Sequence, residues 1–293
     1  MKLVILTRTG FHHTSFINRL QENFDIACVV RESYPDMGKP EGRFQLMKRL
    51  LRNRGPAEGD DARFLDQFHR TYSAGFRYHP ILKDYLRAPF DLVVEQAGTQ
   101  YINVNCGEVN GIAFESFLKD LAPDLIAVLG SSVIKPHIIS IPEIAMINLH
   151  SGLSPYYRGT WSYGWPVVNG EPQYIGATVH YMDHGIDTGR IIHQTRPSLS
   201  EEDDLNSIFL KVIAEGSELM AKVIRDIVGG GRIPSYSQPQ GVGRLYTTRD
   251  LDAAAARTAL KNLDKGLIGK YLSLKEERDS QVTLYGYLPP VIF

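Results

Sequence analysis

The chain has 293 residues, enough for one large domain or one domain with a smaller appendage. With 43% hydrophobic and 22% charged residues it reads as a globular protein with a sizeable core, which excludes a disordered chain. A formal net charge of −1 provides no global field for nucleic acid or an anionic membrane.

Two cysteines, Cys28 and Cys106, make neither a disulfide framework nor a zinc set. The opening MKLVILTRTG is too short in apolar residues for a secretory signal. No window approaches the ~18 apolar residues of a transmembrane helix. The expectation is a soluble cytoplasmic protein.

KLVILT (2–7) reads as a strand, FINRLQENF (16–24) as a helix with Phe16, Leu20 and Phe24 on one face, and DIACVV (25–30) as a second strand, with Cys28 as a small core residue. Strand, helix, strand in this space is a βαβ unit and predicts a parallel sheet. Residues 31–88 read as an insertion at the sheet's edge, with helical stretches at 43–54 and 62–76 around the turn-rich GPAEGDD. Its basic run of Lys48, Arg49, Arg52 and Arg54 reads as the solvated face of an amphipathic helix, in preference to a phosphate or RNA patch. FDLVVEQ (90–96) is the next predicted strand and GIAFESFLKDL (111–121) the next helix. Strands then follow at 123–130, 145–150, 175–182 and 189–194.

A long helix is expected over 201–228, with Ser200 as N-cap, acids in the first turn, a stripe of Leu205, Phe209, Val212, Met220, Val223 and Ile227, and Gly229–Gly231 as its stop. The tail, 229–293, reads as a hairpin plus a helix at 249–263, and its apolar end VTLYGYLPPVIF as a further strand, within the chain or across a dimer. The fold class is α/β: a Rossmann-like, mostly parallel sheet flanked by helices. The domains are a catalytic unit over 1–228 and a small C-terminal appendage over 229–293.

The first βα turn, TRTGFHHTSF, has only Gly10 where a dinucleotide site needs G-x-G-x-x-G, and no Walker A pattern, so nucleotide binding of either kind is rejected. His12 and His13 sit where open α/β sheets take ligands. They read equally as exposed loop histidines or as substrate contacts, and no third ligand is spaced to make them a metal site.

AMINLH ends a strand, and its period of two turns Asn148 and His150 to one side near the carboxyl end. An amide donor beside an imidazole suits an acyl oxygen. The loop SPYYRG follows, with Pro155, Arg158 and Gly159, and then MDHGIDTGRII, where Asp183 and Asp187 are candidate carboxylates and Gly185 and Gly189 allow tight turns. Asn, His and Asp converging at one sheet end would make an acyl-transfer site.

INLHSGLSPYYRG followed by GATVHYMDHGIDTGRII resembles the 10-formyltetrahydrofolate-dependent formyltransferases. The family pattern is N-x-H, a loop ending P-x-x-R-G, and a D-x-G-x-D-x-G segment whose second Asp is catalytic. PDLIAVLGSSVIKP (123–136) is similar to the strand and loop before it, so the likeness is specific over roughly 110–200. The resemblance implies Asn148, His150 and Asp187 as catalytic residues. It also implies a folate cleft whose pterin meets the backbone of Val128, Leu129, Gly130 and Ser131 and of Met182, Asp183, Gly185 and Ile186.

His12, His13 and Arg158 are the expected substrate contacts. 10-Formyltetrahydrofolate is the expected co-substrate, and no metal is expected. The loop TRTGFHHTSF departs from the phosphate loop of the purine-pathway transformylases, and the mixed-charge tail argues against tRNA. The expected acceptor is therefore a small-molecule amine, best an amino group on a nucleotide-linked sugar; the oligomeric state stays open, with a homodimer of the sugar N-formyltransferase kind among the alternatives. A methionyl-tRNA formyltransferase and a formyltetrahydrofolate hydrolase are the alternatives. The hydrolase is disfavoured because the chain begins directly at a strand.

Overall fold

The computed structural model describes residues 1–33, 59–74, 92–230 and 233–286. The sequence-predicted helix at 43–54, with its basic run, lies outside them, as do most of the expected 31–88 insertion and the final residues from 287.

The chain opens with β1 (Leu3–Arg8), α1 (Phe11–Gln21) and β2 (Ile26–Ser33), the expected βαβ unit. Then come α2 (Gly59–His69), β3 (Gln100–Asn105), α3 (Ile112–Leu121), β4 (Leu125–Leu129), the short α4 (Pro136–Ile139) and β5 (Ala145–His150). β6 (Tyr157–Gly159), α5 (Trp165–Asn169), β7 (Ala177–Tyr181), β8 (Ile191–Thr195) and α6 (Leu205–Val228) follow. The C-terminal part holds β9 (Arg244–Tyr246), α7 (Ala253–Asp264), α8 (Leu267–Ser273) and α9 (Lys275–Asp279).

One seven-stranded sheet runs in the order β3-β2-β1-β4-β5-β7-β8. β1 to β5 pair in parallel, and β7 and β8 complete the sheet antiparallel. The chain builds outward from β1 to β3 and then returns to β4 on the other side. The crevice beyond the carboxyl ends of β1 and β4 is therefore the switch point where such sheets hold ligands. Alternation along β1 explains the two cores: Leu3 and Ile5 face α1 and α6, while Val4 and Leu6 face α3 with Phe114 and Leu118. Phe16 of α1 is fully buried in the first of these. Gly216 lets α6 lie close on the sheet, since a Cβ there would stand 2.8 Å from Leu149 Cδ1. Among the described residues no helix is long and apolar enough to cross a membrane.

Four sequence expectations are corrected. The run at 90–96 is not a strand where described. The Asn18 side chain donates to Leu92 O at 3.1 Å and accepts from Val94 N at 2.9 Å, taking up backbone groups that a ladder would use. The third strand is instead β3, whose QYINVN alternates polar with apolar because it lies at the sheet edge with one face exposed. α6 starts four residues later than expected: Asp204, not Ser200, is its N-cap and forms a capping box with Ser207. Asp203 is likewise engaged, bonded to Ser200 N at 2.7 Å and paired with the buried Lys211 at 2.7 Å, so the acids form the entry to the helix and not its first turn.

Among its described residues the tail makes no hairpin. β9 pairs in parallel with β6, and Tyr285 lies along β8, where its carbonyl accepts from Gln194 N at 2.9 Å. Lastly, His12 and His13 are not exposed loop residues; they stand in the first turn of α1, His13 buried and His12 half-buried.

Candidate active site

β5 ends in Asn148 and His150, two residues apart on the face shared with Met146. β7 lies antiparallel beside it and sets His180 opposite Asn148 and Thr178 opposite His150. The loop from β7 to β8 then carries Asp187 back over the ends of both strands. Asp187 has φ 53, the left-handed region, where Asp is one of the few tolerated side-chain residues. Two glycines make that turn possible: a Cβ at Gly185 would overlap Thr188, and one at Gly189 would overlap Tyr181 O. Asp183 shapes the same loop by accepting from Gly185 N at 3.0 Å and Thr188 Oγ1 at 2.6 Å. The structure thus separates the two candidate carboxylates: Asp183 is exposed in its own turn and Asp187 points inward.

Asp187 is the hub. Its Oδ2 accepts from Gly159 N at 2.8 Å and lies 3.4 Å from His150 Nδ1. Its Oδ1 lies 3.5 Å from His180 Nε2 and 3.4 Å from Asn148 Nδ2. Burial alone would raise this carboxyl, but His150, His180 and the Gly159 N–H together hold it well below the usual carboxylate range. His150 Nε2 stands 2.8 Å from the Tyr157 carbonyl, which can only accept, so this nitrogen carries hydrogen. The His150 ring is 5% exposed and both its nitrogens face acceptors. His180 Nδ1 stands 2.8 Å from Tyr181 O, and its Nε2 lies between Asn148 Nδ2 at 3.2 Å and Asp187 Oδ1 at 3.5 Å.

The loop under this group is tied down by buried Thr178. Its Oγ1 donates to Gly152 O at 2.7 Å and accepts from Ser154 N at 3.0 Å and Gln194 Nε2 at 2.9 Å.

Across the cleft, the loop after β4 turns at Gly130 with φ 60. Val128 and Leu129 are buried in the core, so only their backbone can meet a ligand. Below the loop, Thr7 Oγ1 donates to Leu129 O at 2.7 Å and takes the hydrogen of His13 Nδ1 at 2.7 Å. Glu32, fully buried, accepts from Ser132 N and Ser132 Oγ, each at 2.6 Å, and from Gly107 N at 2.7 Å. Arg8 Nε faces this carboxylate at 3.5 Å. In the loop from β7 to β8 Met182 is half-buried and Ile186 exposed. Burial lowers His12 to about 4, and burial with the charges of His12 and Arg8 lowers His13 well below the ordinary histidine value. Both are neutral near pH 7 and offer no positive charge to a substrate. The Arg158 Nε is buried without a hydrogen-bond partner among the described residues. Among the described residues no cluster of His, Cys, Asp and Glu is arranged to hold a metal ion.

The structure therefore brings Asn148, His150 and Asp187 together and buries His13 against the turn at Gly130. Three contributors were missed from sequence. His180 was legible in the alternation of ATVHY, which puts it on the face of Thr178, but its place opposite Asn148 depends on strand pairing. Glu32 and Gln238 carried no local signal.

An open α/β sheet with an Asn–His–Asp group at the carboxyl end of its strands defines a Rossmann-like fold with a polar site beside the switch point. Residues 102–224 match the family model described as formyl transferase. A methionyl-tRNA formyltransferase from Pelotomaculum thermopropionicum is 37% identical over 130 residues, covering 44% of this chain and 41% of that protein. The chain thus matches less than half the length of this relative.

Among solved structures, a sugar N-formyltransferase from Shewanella sp FDAARGOS_354 aligns with TM-score 0.53 at 15% identity, covering 90% of this chain and 88% of that one. An N-formyltransferase from Helicobacter canadensis, solved with folinic acid and dTDP-3-aminofucose, aligns with TM-score 0.52 at 14% identity, covering 90% and 81%. At these identities the structural likeness concerns the fold.

Proposed function

We propose that the protein transfers a formyl group from 10-formyltetrahydrofolate to a primary amine of a small molecule, with an amino sugar linked to a nucleotide as the acceptor. The observation that carries this reading is the convergence of Asn148, His150 and Asp187 at the end of β5, beside the switch-point crevice. The crevice suits a folate. In this reading the pterin meets the backbone turn at Gly130, the half-buried Met182 and the exposed Ile186, since apolar side chains with nearby backbone groups fit a flat heterocycle.

Formyl transfer needs a donor for the oxygen that gains charge as the amine attacks, and a route for the amine's proton. The Asn148 amide makes only long contacts, at 3.2 Å and 3.4 Å, so it can turn to the formyl oxygen without losing strong bonds. The His150 Nε2–H rests on the Tyr157 carbonyl and must leave it to serve the reacting group. A carboxylate held as low as Asp187 does not keep a proton. Its part is electrostatic: it orients His150 and balances its charge, and the amine's proton leaves through the imidazole or water. Arg158, with its unpartnered Nε, is the substrate contact these residues support best for an anionic acceptor. His12 and His13, being neutral, act through shape and hydrogen bonding.

The runner-up is methionyl-tRNA as acceptor, which the name of the sequence relative favours. The test is release of tetrahydrofolate from 10-formyltetrahydrofolate with a panel of nucleotide-linked amino sugars, with methionyl-tRNA, and with no acceptor. Release only with an amino sugar supports the proposal. Release only with the tRNA selects the runner-up, and release without acceptor indicates hydrolysis.

A further inference from the structure

The groups that hold Asp187 do not all come from the segment around it. β6 offers two backbone groups to the site on one edge: the Tyr157 carbonyl on His150 and the Gly159 N–H on Asp187. Its other edge is taken by β9, where Arg244 N donates to Tyr156 O at 3.0 Å and Thr160 N to Tyr246 O at 2.8 Å. Backbone groups along a strand alternate between its edges, so seating one edge aims the other. β9 is itself anchored. The Tyr246 ring stacks on Trp165 at 4.2 Å and on Tyr157 at 5.8 Å, and Asn169 Nδ2 donates to both tyrosine hydroxyls at 2.9 Å.

A second contact reaches Asp187 directly. Gln238 Nε2 donates to Asp187 O at 2.7 Å and to Gly189 O at 2.8 Å, closing the turn in which Asp187 is left-handed. Neighbouring contacts fasten this segment: Arg190 grips Ser235 Oγ at 2.9 Å and Ser237 Oγ at 2.6 Å, and Tyr236 bridges to Ile191 in both directions at 2.8 Å.

We propose that the segment 235–246 is a working part of the reaction site, with Gln238 as the positioning residue that keeps Asp187 on His150 and Gly159. Among the described residues, the Gln238 amide donates to two backbone carbonyls of the catalytic turn. Its loss therefore moves Asp187 without removing any group that meets a substrate. The kinetic arm of the test rests on the formyl-transfer reading; a second arm does not.

Gln238→Met keeps length and bulk and removes both donors. Expected are a fall in kcat of about 10- to 30-fold with KM for donor and acceptor within about threefold, and exchange of the Gly159 amide at least about tenfold faster while β1 amides are unchanged. Gln238→Glu places oxygens against the two carbonyls; its activity relative to wild type should rise as pH falls, because the protonated carboxyl regains one donor. Should Gln238→Met fail to fold, Gln238→Glu carries both arms.

Unchanged Gly159 exchange overturns the proposal, whatever the rates. A rise in KM equal to the loss in kcat also overturns it, since Gln238 would then be a binding residue. Faster exchange in the variant, with a wild-type protein that transfers no formyl group, leaves the positioning intact and removes the formyl-transfer reading instead.

Discussion

Replacing Asp187 by Asn tests the electrostatic core of the site. The change keeps the shape, and the side-chain carbonyl can still accept from Gly159 N–H, but the charge facing His150 is gone. At the 3.4 Å separation of Oδ2 and Nδ1, an effective dielectric of about 20 makes the charge pair worth about 5 kcal/mol. The Asn dipole and local solvent recover roughly half, so about 2–3 kcal/mol of support for a charged His150 is lost, or about a hundredfold in kcat. The assay is single-turnover formyl transfer with donor and acceptor both saturating.

The same substitution has a signature in stability. Asp187 is held below the ordinary carboxylate range, so in the folded protein it stays ionised where an unfolded Asp, near ~3.9, already takes up a proton. Its contribution is present in full above about pH 5 and is lost as pH falls through the folded value. Asp187→Asn should therefore lose less unfolding free energy than wild type between about pH 5 and pH 2. A variant with kcat within threefold of wild type and an unaltered acid limb would refute the reasoning.

Further outcomes are expected elsewhere. Gly159→Ala puts a Cβ onto Tyr246 O at φ 89 and should destabilise by about 2 kcal/mol or more, seen as a Tm lower by roughly 5 °C. Thr178→Val keeps the shape but strands Ser154 N and Gly152 O and takes one of the two acceptors of Gln194 Nε2, so urea unfolding should report a loss of about 2–3 kcal/mol. Burial pushes the Cys28 thiol up to about 12, while Cys106 is only partly buried, so a thiol reagent at pH 8 should label one cysteine in the folded protein and two in denaturant.

Much of this molecule was legible in its residues. Short apolar runs such as LVIL in β1 and LIAVL in β4 read as strands buried on both faces, and with the helical spacing between β1 and β2 they give the βαβ start and the parallel core. The N-x-H at the end of AMINLH and the glycine-bounded Asp187 were legible because period two and tight turns are local properties.

What failed were features whose cause lies far along the chain. FDLVVEQ has the composition of a strand, but Asn18, some seventy residues away, takes up its backbone groups. The polar QYINVN is a strand because β2 offers it an edge. His180 belongs to the site because β7 runs antiparallel to β5, and Glu32 and Gln238 belong to it because the sheet brings their elements beneath the two loops. Sequence determines which residues can be buried and which turns can close. Only tertiary structure decides which distant side chain satisfies a buried carbonyl or carboxylate, because that pairing depends on strand order and register, which no local pattern encodes.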